Sequence, residues 1–531
     1  MRTPSKPLIR RGALLGAALT GAAAVTAALT SAGHAREAER HVFDREHVLG
    51  TSLHLEVGAD SPEAAGALER VVVDEIARLE HILSSYDSAS EWRALAAARA
   101  PRAASDELTD VLQLCDAWRA RSGGVFQPGI GELTQLWRAA AERGVAPTSE
   151  ALAAAAGRAQ EAPWRLDADA HTVEVLAAEA PSLDALAKGY IIDRVCDALR
   201  SAGCSDAVVE LGGDLRVLGD DARTVAVLDP WRAADNAPPY ATLTLGAESP
   251  GRAIATSGGY ARGFDVGVVH HSHILDPRTG APADHIAQAT VIAPDAATAD
   301  ALATVLCVLK PEEGLALAAA VSGVECLILE VEGQRRHASA GWMDLQAPEG
   351  PPAADVSASA WATGQVVLRF ELADFSQPAP QEGRRRKGGY RRPYVAAWIE
   401  DAEGRDVRTL ALWVQKPKWI PDLRRWIKHY RGRVDDVAAV TRATRGPGAY
   451  TLEWHGDGDD GAQLAPGAYT VCLEVVREHG GTSMLRRDVV IDGKPFALDF
   501  DAGGEVAAAS VEFVLLAQDS IGGGSNGGQR E

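Results

Sequence analysis

The stretch that organises the chain is HHSHILDPRTGAPADHIAQATVIAPDAATADALAT, residues 270–304. It begins with a polar turn, continues as an apolar strand and ends in a helix that we expect to start with Asp300. Asp300 and Thr304 are four residues apart, so they lie on one face of that helix. Both side chains offer the hard oxygen ligands that Mg²⁺ prefers. The alternative is structural, with Asp300 in the first helical turn and Thr304 bonded to the backbone. Taken alone, these two residues favour the structural alternative. The choice between a metal site and a structural role therefore depends on the flanking sequence.

The composition limits the class of protein. At 531 residues the chain is too long for one hydrophobic core, and we expect two or three domains. The formal net charge of −20 argues against a general nucleic-acid-binding protein, which would carry a basic surface. The six cysteines are scattered without a C-x-x-C pair or zinc-ligand spacing. We therefore expect buried thiols and no disulfide framework.

The N-terminus has the pattern of a targeting segment. Arg10 and Arg11 precede an uncharged run over 12–33, and residues 33–35 form a small-x-small cleavage site. We predict a signal peptide over 1–35. The twin arginine resembles a Tat signal, although Sec signals also carry basic residues there. An uncleaved anchor is the alternative. The mature protein is predicted to be periplasmic or otherwise exported, and association with the inner membrane is compatible with this prediction.

Helical and strand patterns alternate over residues 36–345, which predicts one α+β or mixed α/β domain. Apolar residues recur at helical spacing over 62–83, and a loop enters an amphipathic helix over 181–203. Lys188 and Gly189 at that loop–helix junction could hold a phosphate, although the GxxxxGK[ST] frame of a P-loop is absent. The glycines of 123–137 let the backbone approach a flat or charged group, or simply connect a strand to a helix.

Seven motifs in this order and spacing resemble the ApbE family, across about residues 41–345. They are LSSYDSASEWRAL, GGVFQPGIGELTQLW, LDALAKGYIIDRV, VELGGDLRVLG, ATSGGYARGF, HILDPRTGAPA and TADALATVLCVL. Members of the family are Mg²⁺-dependent FAD:protein FMN transferases. They transfer FMN from FAD to a threonine or serine hydroxyl of a target protein and release AMP. The resemblance therefore implies Mg²⁺, FAD as donor and a flavin-accepting protein as partner.

The resemblance also implies roles for individual residues. Metal ligands would be Asp300, Thr304 and the backbone carbonyl of Ala185. FAD contacts would come from Tyr86, Val125, Phe126, Gln127, Ser182, Lys188 and Leu275. His273, which matches the histidine of the family's H-x-x-D-P-x-T-G motif, would be the catalytic residue.

General chemistry agrees with these roles. A carboxylate, a hydroxyl and a carbonyl leave Mg²⁺ coordination positions open for phosphate oxygens. A threonine hydroxyl is a poor nucleophile at neutral pH, so a histidine is the natural proton acceptor. His270 and His271 are close in sequence and could replace His273 in that role.

Three positions depart from the family pattern. Gln127 stands where the family usually has aspartate or asparagine, and Ser182 stands where it often has aspartate. Ala185 replaces the second glycine of the D-L-G-G-I-A-K-G loop. A backbone carbonyl ligand survives the change to alanine, and the metal pair and the histidine are unaffected.

The remaining chain is predicted to form a second, all-β domain. Residues 346–363 resemble a linker, and period-two alternation over 364–517 predicts an antiparallel, immunoglobulin-like sandwich resembling FlgD-like modules. The basic, aromatic stretch 416–433, with Arg384–Arg386 nearby, has two interpretations. It is a docking surface for a target protein or anionic headgroups, or a solvated loop plus a short helix whose tryptophans cover the sandwich edge. The tail 518–531 is predicted to be disordered.

Three functions are compatible with the sequence. The first is an exported flavin transferase that loads FMN onto a membrane-associated or periplasmic redox protein. The second is an Mg²⁺-dependent pyrophosphatase that converts FAD to FMN and AMP. The third is a non-catalytic FAD-binding or interaction protein. The set formed by Asp300, Thr304 and His273 favours the two enzymes.

Overall fold

The structure is a computed structural model. It describes residues 39–232, 234, 236–246, 249, 251–259, 262–346, 361, 364–373, 393–414, 423–429, 441–442, 447–459, 461–477 and 481–515. The predicted signal peptide, most of the predicted linker, the tail from 518 and much of the basic stretch 416–433 lie outside the described residues. None of the described helices is long and apolar enough to cross a membrane.

The first domain combines helices with short strands. Its helices are α1 (Pro62–Leu83), α2 (Glu91–Ala98), α3 (Asp106–Arg121), α4 (Gly131–Arg143), α5 (Ser149–Ala159), α6 (Asp184–Ser201), α7 (Ala296–Val308), α8 (Pro311–Ala319) and α9 (Trp342–Leu345). Its strands are β1 (Glu39–Val48), β2 (Thr51–Ala59), β3 (Arg102–Ala103), β4 (Trp164–Asp167), β5 (Thr172–Val175), β6 (Ala207–Leu211), β7 (Asp214–Leu218), β8 (Arg223–Val227), β9 (Ala241–Leu245), β10 (Ala253–Gly258), β11 (Gly263–Val266), β12 (Val269–Ser272), β13 (Ile286–Ala293), β14 (Glu325–Glu330) and β15 (Arg336–Ala338).

An eight-stranded antiparallel sheet organises this domain, in the order β1-β2-β6-β7-β10-β13-β14-β15. Helices α1, α6 and α7 pack on one face and bury the larger apolar core. The hairpin β8–β9 and α9, with the fully buried Trp342, cover part of the other face. An antiparallel sheet between such layers confirms the predicted α+β class.

The second domain is the predicted β-sandwich. Its elements are β16 (Gly364–Leu372), β17 (Tyr394–Asp401), β18 (Asp406–Trp413), α10 (Arg424–His429), β19 (Thr441–Arg442), β20 (Gly448–Trp454), β21 (Ala468–Val476), β22 (Thr482–Val490), β23 (Phe496–Asp499) and β24 (Val506–Leu515). The sheets β20-β16-β24-β23 and β19-β18-β17-β21-β22 share one apolar core. Trp361, from the predicted linker, packs in that core with its ring centroid 4.7 Å from that of Trp454. The exact domain boundaries and the FlgD-like resemblance stay predictions.

Helices α6 and α7 pack closely against each other at the centre of the first domain. A Cβ on Gly189 would collide with the Ala296 carbonyl, so only glycine fits at this crossing. One turn later, the Asp193 carboxylate accepts hydrogen bonds from the backbone N–H groups of Ala296 (2.9 Å) and Ala297 (3.0 Å). The first turn of α7 is therefore held by a side chain of α6.

Two local predictions were wrong. Helix α7 begins at Ala296 and not at Asp300, because Asp295 is the N-cap and its carboxylate accepts the Thr298 N–H (2.8 Å). Asp300 therefore lies in the second turn and faces α6, which removes the first-turn alternative. By sequence alone, the small residues and the tyrosine of 254–264 predict a turn. Instead, Ala253–Gly258 form the central strand β10, where short side chains let α7 pack closely.

We predict that Gly189→Ala lowers the free energy of unfolding by about 1–3 kcal/mol, because the added methyl group overpacks the α6–α7 crossing. The matched control is Gly157→Ala in α5, where nothing lies within 4 Å of an added Cβ. It should be neutral or stabilise by about 0.5–1 kcal/mol, since alanine is the better helix former. Chemical denaturation measures both, and equal effects would contradict the role of the crossing.

Candidate functional site

A charged cluster lies where α6, α7 and β7 meet. The Lys188 ammonium contacts Asp214 and lies 3.3 Å from Oδ1 of Asp300. The other oxygen of Asp300, Oδ2, accepts the Gly189 N–H at 3.1 Å. The side chains of Asp214 and Asp300 are 3% and 4% exposed, whereas that of Lys188 is 34% exposed.

The cluster is short of positive charge, since one ammonium faces two buried carboxylates. Desolvation raises the pKa of Asp300 to about 6, although Lys188 opposes this. Burial lowers the pKa of Lys188, but Asp300 and Asp214 more than compensate and raise it above its ordinary value. A further cation beside Asp300 would therefore be stabilised.

The remaining predicted metal ligands lie on the same two helices. The Thr304 hydroxyl follows Asp300 by one turn and lies 3.3 Å from the Ser257 hydroxyl of β10. Ala185 lies in the first turn of α6, and a regular helix would direct the Gly189 N–H at its carbonyl. Because that N–H also donates to Asp300, the Ala185 carbonyl has capacity for another partner.

These donors fit Mg²⁺ by their chemistry. All of them are oxygens, as a hard cation requires, and one is a carboxylate that is only partly neutralised. Within the described ranges no group of three or more His, Cys, Asp or Glu residues could hold a metal ion. An ion at Asp300 would therefore depend on hydroxyl, carbonyl, water and substrate oxygens, which is how Mg²⁺ is usually bound beside phosphates.

The geometry separates the three histidines. The His273 Nδ1 lies 3.0 Å from the Arg262 carbonyl oxygen, so Nδ1–H donates and Nε2 keeps its lone pair. Partial desolvation lowers the pKa of His273, although its side chain is exposed, and the positive charges of Arg262 and His270 lower it further. His273 is therefore neutral at neutral pH and can accept a proton.

His270 and His271 make different contacts from His273. His270 lies between the Asp265 carboxylate (2.8 Å) and the Gly259 carbonyl (3.1 Å), and these acceptors raise its pKa and favour the imidazolium form. The His271 Nδ1 lies 2.7 Å from Asp284, and its ring packs 5.1 Å from the Trp137 ring. His270 therefore has both ring nitrogens engaged. In His271 only Nδ1 is engaged among the described residues, so its contacts with Asp284 and Trp137, and not a lack of free nitrogen, distinguish it from His273.

A chain of contacts connects the hairpin that carries these histidines to helix α7. Gly259 packs so tightly on Ser272 that an added Cβ would lie 2.6 Å from the Ser272 hydroxyl. Two residues earlier, Ser257 contacts Thr304. Through Ser272 and Ser257, these contacts link the end of β12 to Thr304 in the third turn of α7.

The predicted FAD contacts fall into two groups. The side chains of Val125, Phe126 and Leu275 are at most 5% exposed and pack in the core, so only their backbones could contact a ligand. Gln127 is 7% exposed, its Oε1 accepts the Gly129 N–H (3.3 Å), and its buried Nε2 has no hydrogen-bond partner in the described part of the chain. An orphaned buried donor of this kind suits a ligand acceptor.

The second group includes Ser182 and Tyr86, which make hydrogen bonds between different segments of the chain. The Ser182 N–H donates to the Pro128 carbonyl (2.9 Å), which ties the Ala185 loop to the Gln127 loop. Tyr86 is 80% exposed, and its hydroxyl donates to Asp184 at 2.8 Å.

Sequence reasoning missed three residues of this site, namely Asp184, Asp214 and Ser257. Asp214 had a visible signal, because it is a buried acidic residue that opens a short strand directly after Gly212-Gly213. Ser257 had none, since its partner Thr304 is 47 residues away.

The chain belongs to the ApbE family, whose model matches residues 49–328, more than half of its length. The FAD:protein FMN transferase of Treponema pallidum is 32% identical over 317 residues, which cover 56% of this chain and 87% of that protein. The Vibrio cholerae protein of the same name is 32% identical over 252 residues, 46% of this chain and 73% of that protein.

A solved structure agrees with the family. The crystal structure of the ApbE protein of Thermotoga maritima is 25% identical and superposes with a TM-score of 0.51, covering 58% of this chain and 100% of that one. Residues 382–508 match a second family model, described as "Predicted periplasmic protein (DUF2271)".

We predict that Lys188→Met lowers the free energy of unfolding by about 2 kcal/mol at pH 7, because two buried carboxylates lose their cation. Breaking a fully buried pair costs about 3–5 kcal/mol, and the partial exposure of Lys188 reduces the loss. Arg158→Met, which breaks the exposed pair with Glu132, is the control and should leave the denaturation midpoint unchanged. Equal midpoints for all three proteins would contradict the electrostatic account.

Proposed function

We propose that this protein is an FAD:protein FMN transferase. It takes FAD as donor and attaches FMN to another protein. The observation that carries the proposal is the buried cluster of Lys188, Asp214 and Asp300 in a chain of the ApbE family, which also offers a neutral His273 as a proton acceptor. Cleavage of a pyrophosphate bond needs both positive charge and a proton acceptor, and these residues supply them.

Asp300, Thr304 and the Ala185 carbonyl would hold Mg²⁺. When bound, the ion would neutralise charge on the pyrophosphate and orient it. Asp214 holds Lys188, so the ammonium supplies a second, fixed positive charge. The Gln127 Nε2 donates to an acceptor atom of FAD, which satisfies the buried amide.

The transfer uses a threonine or serine hydroxyl of the acceptor protein. The Arg262 carbonyl fixes the His273 ring through Nδ1–H, and Nε2 accepts the hydroxyl proton. The hydroxyl oxygen attacks the phosphorus on the FMN side of the pyrophosphate. The new P–O bond forms a phosphoester, the bond from this phosphorus to the bridging oxygen breaks, and AMP leaves with that oxygen.

The acceptor is proposed to be an exported redox protein, membrane-associated or periplasmic, and the transferase itself is proposed to be exported through a Tat or Sec signal. The match to a predicted periplasmic family supports this compartment. Docking through the basic stretch would use Arg424 and Arg425, which are exposed. Trp426 is 1% exposed and covers the five-stranded sheet, so it takes no part in docking.

The direct test incubates the purified protein with FAD, Mg²⁺ and a flavin-free acceptor domain whose mature form carries FMN on threonine. In-gel flavin fluorescence of the acceptor, with release of AMP, is the expected result. FMN and AMP without a labelled acceptor would instead identify a pyrophosphatase. Bound but unconverted FAD would exclude both enzymes.

His273→Asn should lower kcat by about 10²–10⁴-fold, the usual contribution of a general base, with little change in FAD affinity. His171→Asn is the matched control, because His171 is exposed, far along the chain and at a positive φ that asparagine tolerates. Both rates come from the fluorescence assay. Equal rates for the two variants would refute the assignment of the base.

The acid limb of kcat/KM should lie below pH 6.5, because partial desolvation lowers the pKa of His273 from 6.5 and the neutral ring is the active form. Activity is then lost only as the pH falls through this lowered pKa. The residual activity of His273→Asn should lack that limb. A limb above pH 6.5, or the same limb in the variant, would contradict the prediction.

A further inference from the structure

Tyr86 is an exposed aromatic side chain whose position is nevertheless fixed. It is 80% exposed and follows the end of α1. The Ser84 hydroxyl accepts the backbone N–H groups of Tyr86 (3.2 Å) and Asp87 (3.0 Å), which holds the turn. At the other end, the phenol donates to Oδ2 of Asp184 at 2.8 Å. The ring is thus tied at both ends while its faces meet solvent.

Asp184 ties this ring to the charged cluster. It lies in the first turn of α6, directly before Ala185 and one turn before Lys188. Its N–H lies 3.3 Å from the Ser182 hydroxyl, its acceptor. Ser182 stands where the family motif often has aspartate, and Asp184 supplies a carboxylate two residues later.

A carboxylate near a pyrophosphate repels it unless other charges compensate. Asp184 raises the pKa of Tyr86, and the positive charges of Arg138 and Arg262 oppose this effect. Both arginines are exposed. Positive charge therefore acts on Tyr86 together with the Asp184 carboxylate, so the site can still accept an anionic dinucleotide.

We propose that Asp184 is the positioning residue that holds the Tyr86 ring as a stacking platform for one flat ring system of FAD. The inference rests on the proposed function. Flat aromatic groups stack well on an exposed ring, and a ring held in place before binding loses less conformational freedom when the ligand arrives. Asp184 touches Tyr86 and not the substrate, so its effect passes through the phenol.

A purely structural role for Asp184 is the competing explanation, since acidic residues stabilise the first turn of a helix. That role is independent of the Tyr86 hydroxyl. A double-mutant cycle between the two residues therefore separates the explanations.

The test titrates the full chain with FAD in Mg²⁺-free buffer and records Kd and the quenching of flavin fluorescence at saturation. Asp184→Ala and Tyr86→Phe should each weaken binding by about 5-fold and reduce quenching, as expected when one side chain must be immobilised on binding. The double variant should be no worse than either single variant. Asp184→Asn, which can still accept the phenol hydrogen bond, should retain wild-type binding.

Asp106→Ala is the matched control, because Asp106 is an exposed acid in the first turn of α3. It should leave both readouts unchanged. Wild-type Kd and quenching in Asp184→Ala, or additive losses in the double variant, would overturn the positioning role alone. Failure of the wild-type protein to bind FAD would overturn the proposed function together with this inference.

Discussion

The site depends on one constraint, the close approach of α6 and α7 at Gly189. With no side chain at this position, the backbone of α6 reaches the first turn of α7, and the Gly189 N–H reaches the Asp300 carboxylate. Asp193 strengthens the contact by accepting two N–H groups of α7. Any larger residue would separate the helix that carries Lys188 from the helix that carries Asp300.

The close approach of α6 and α7 leaves excess negative charge at the site, and this charge favours the proposed chemistry. Two carboxylates are buried beside a single ammonium, so the apoprotein keeps excess negative charge in a poorly solvated place. Without a ligand, this buried negative charge destabilises the folded protein. A cation that also binds phosphate oxygens would neutralise the charge, so the same charge favours ligand binding. The neutral His273 adds a proton acceptor without adding a competing charge.

The sequence predicted much of the fold and part of the site. Helix α1 was predicted with its observed bounds, because its apolar residues recur at helical spacing. The start of α7 was missed because the helix was expected to begin with Asp300, whereas Asp295 caps it and Ala296 begins it. Partners such as Asp214 and Ser257 were not predictable, since sheet register and helix crossing bring them together and local sequence does not encode these distances.

We propose that Asp300 and Thr304 form a divalent-cation site assembled by the α6–α7 crossing. Mn²⁺ binding, followed by electron paramagnetic resonance with FAD present, is the measurement that tests this site. The wild-type protein should bind one ion tightly per chain. Binding should be lost in Asp300→Asn and weakened in Thr304→Val. Unchanged Mn²⁺ affinity in a folded Asp300→Asn variant would contradict the account.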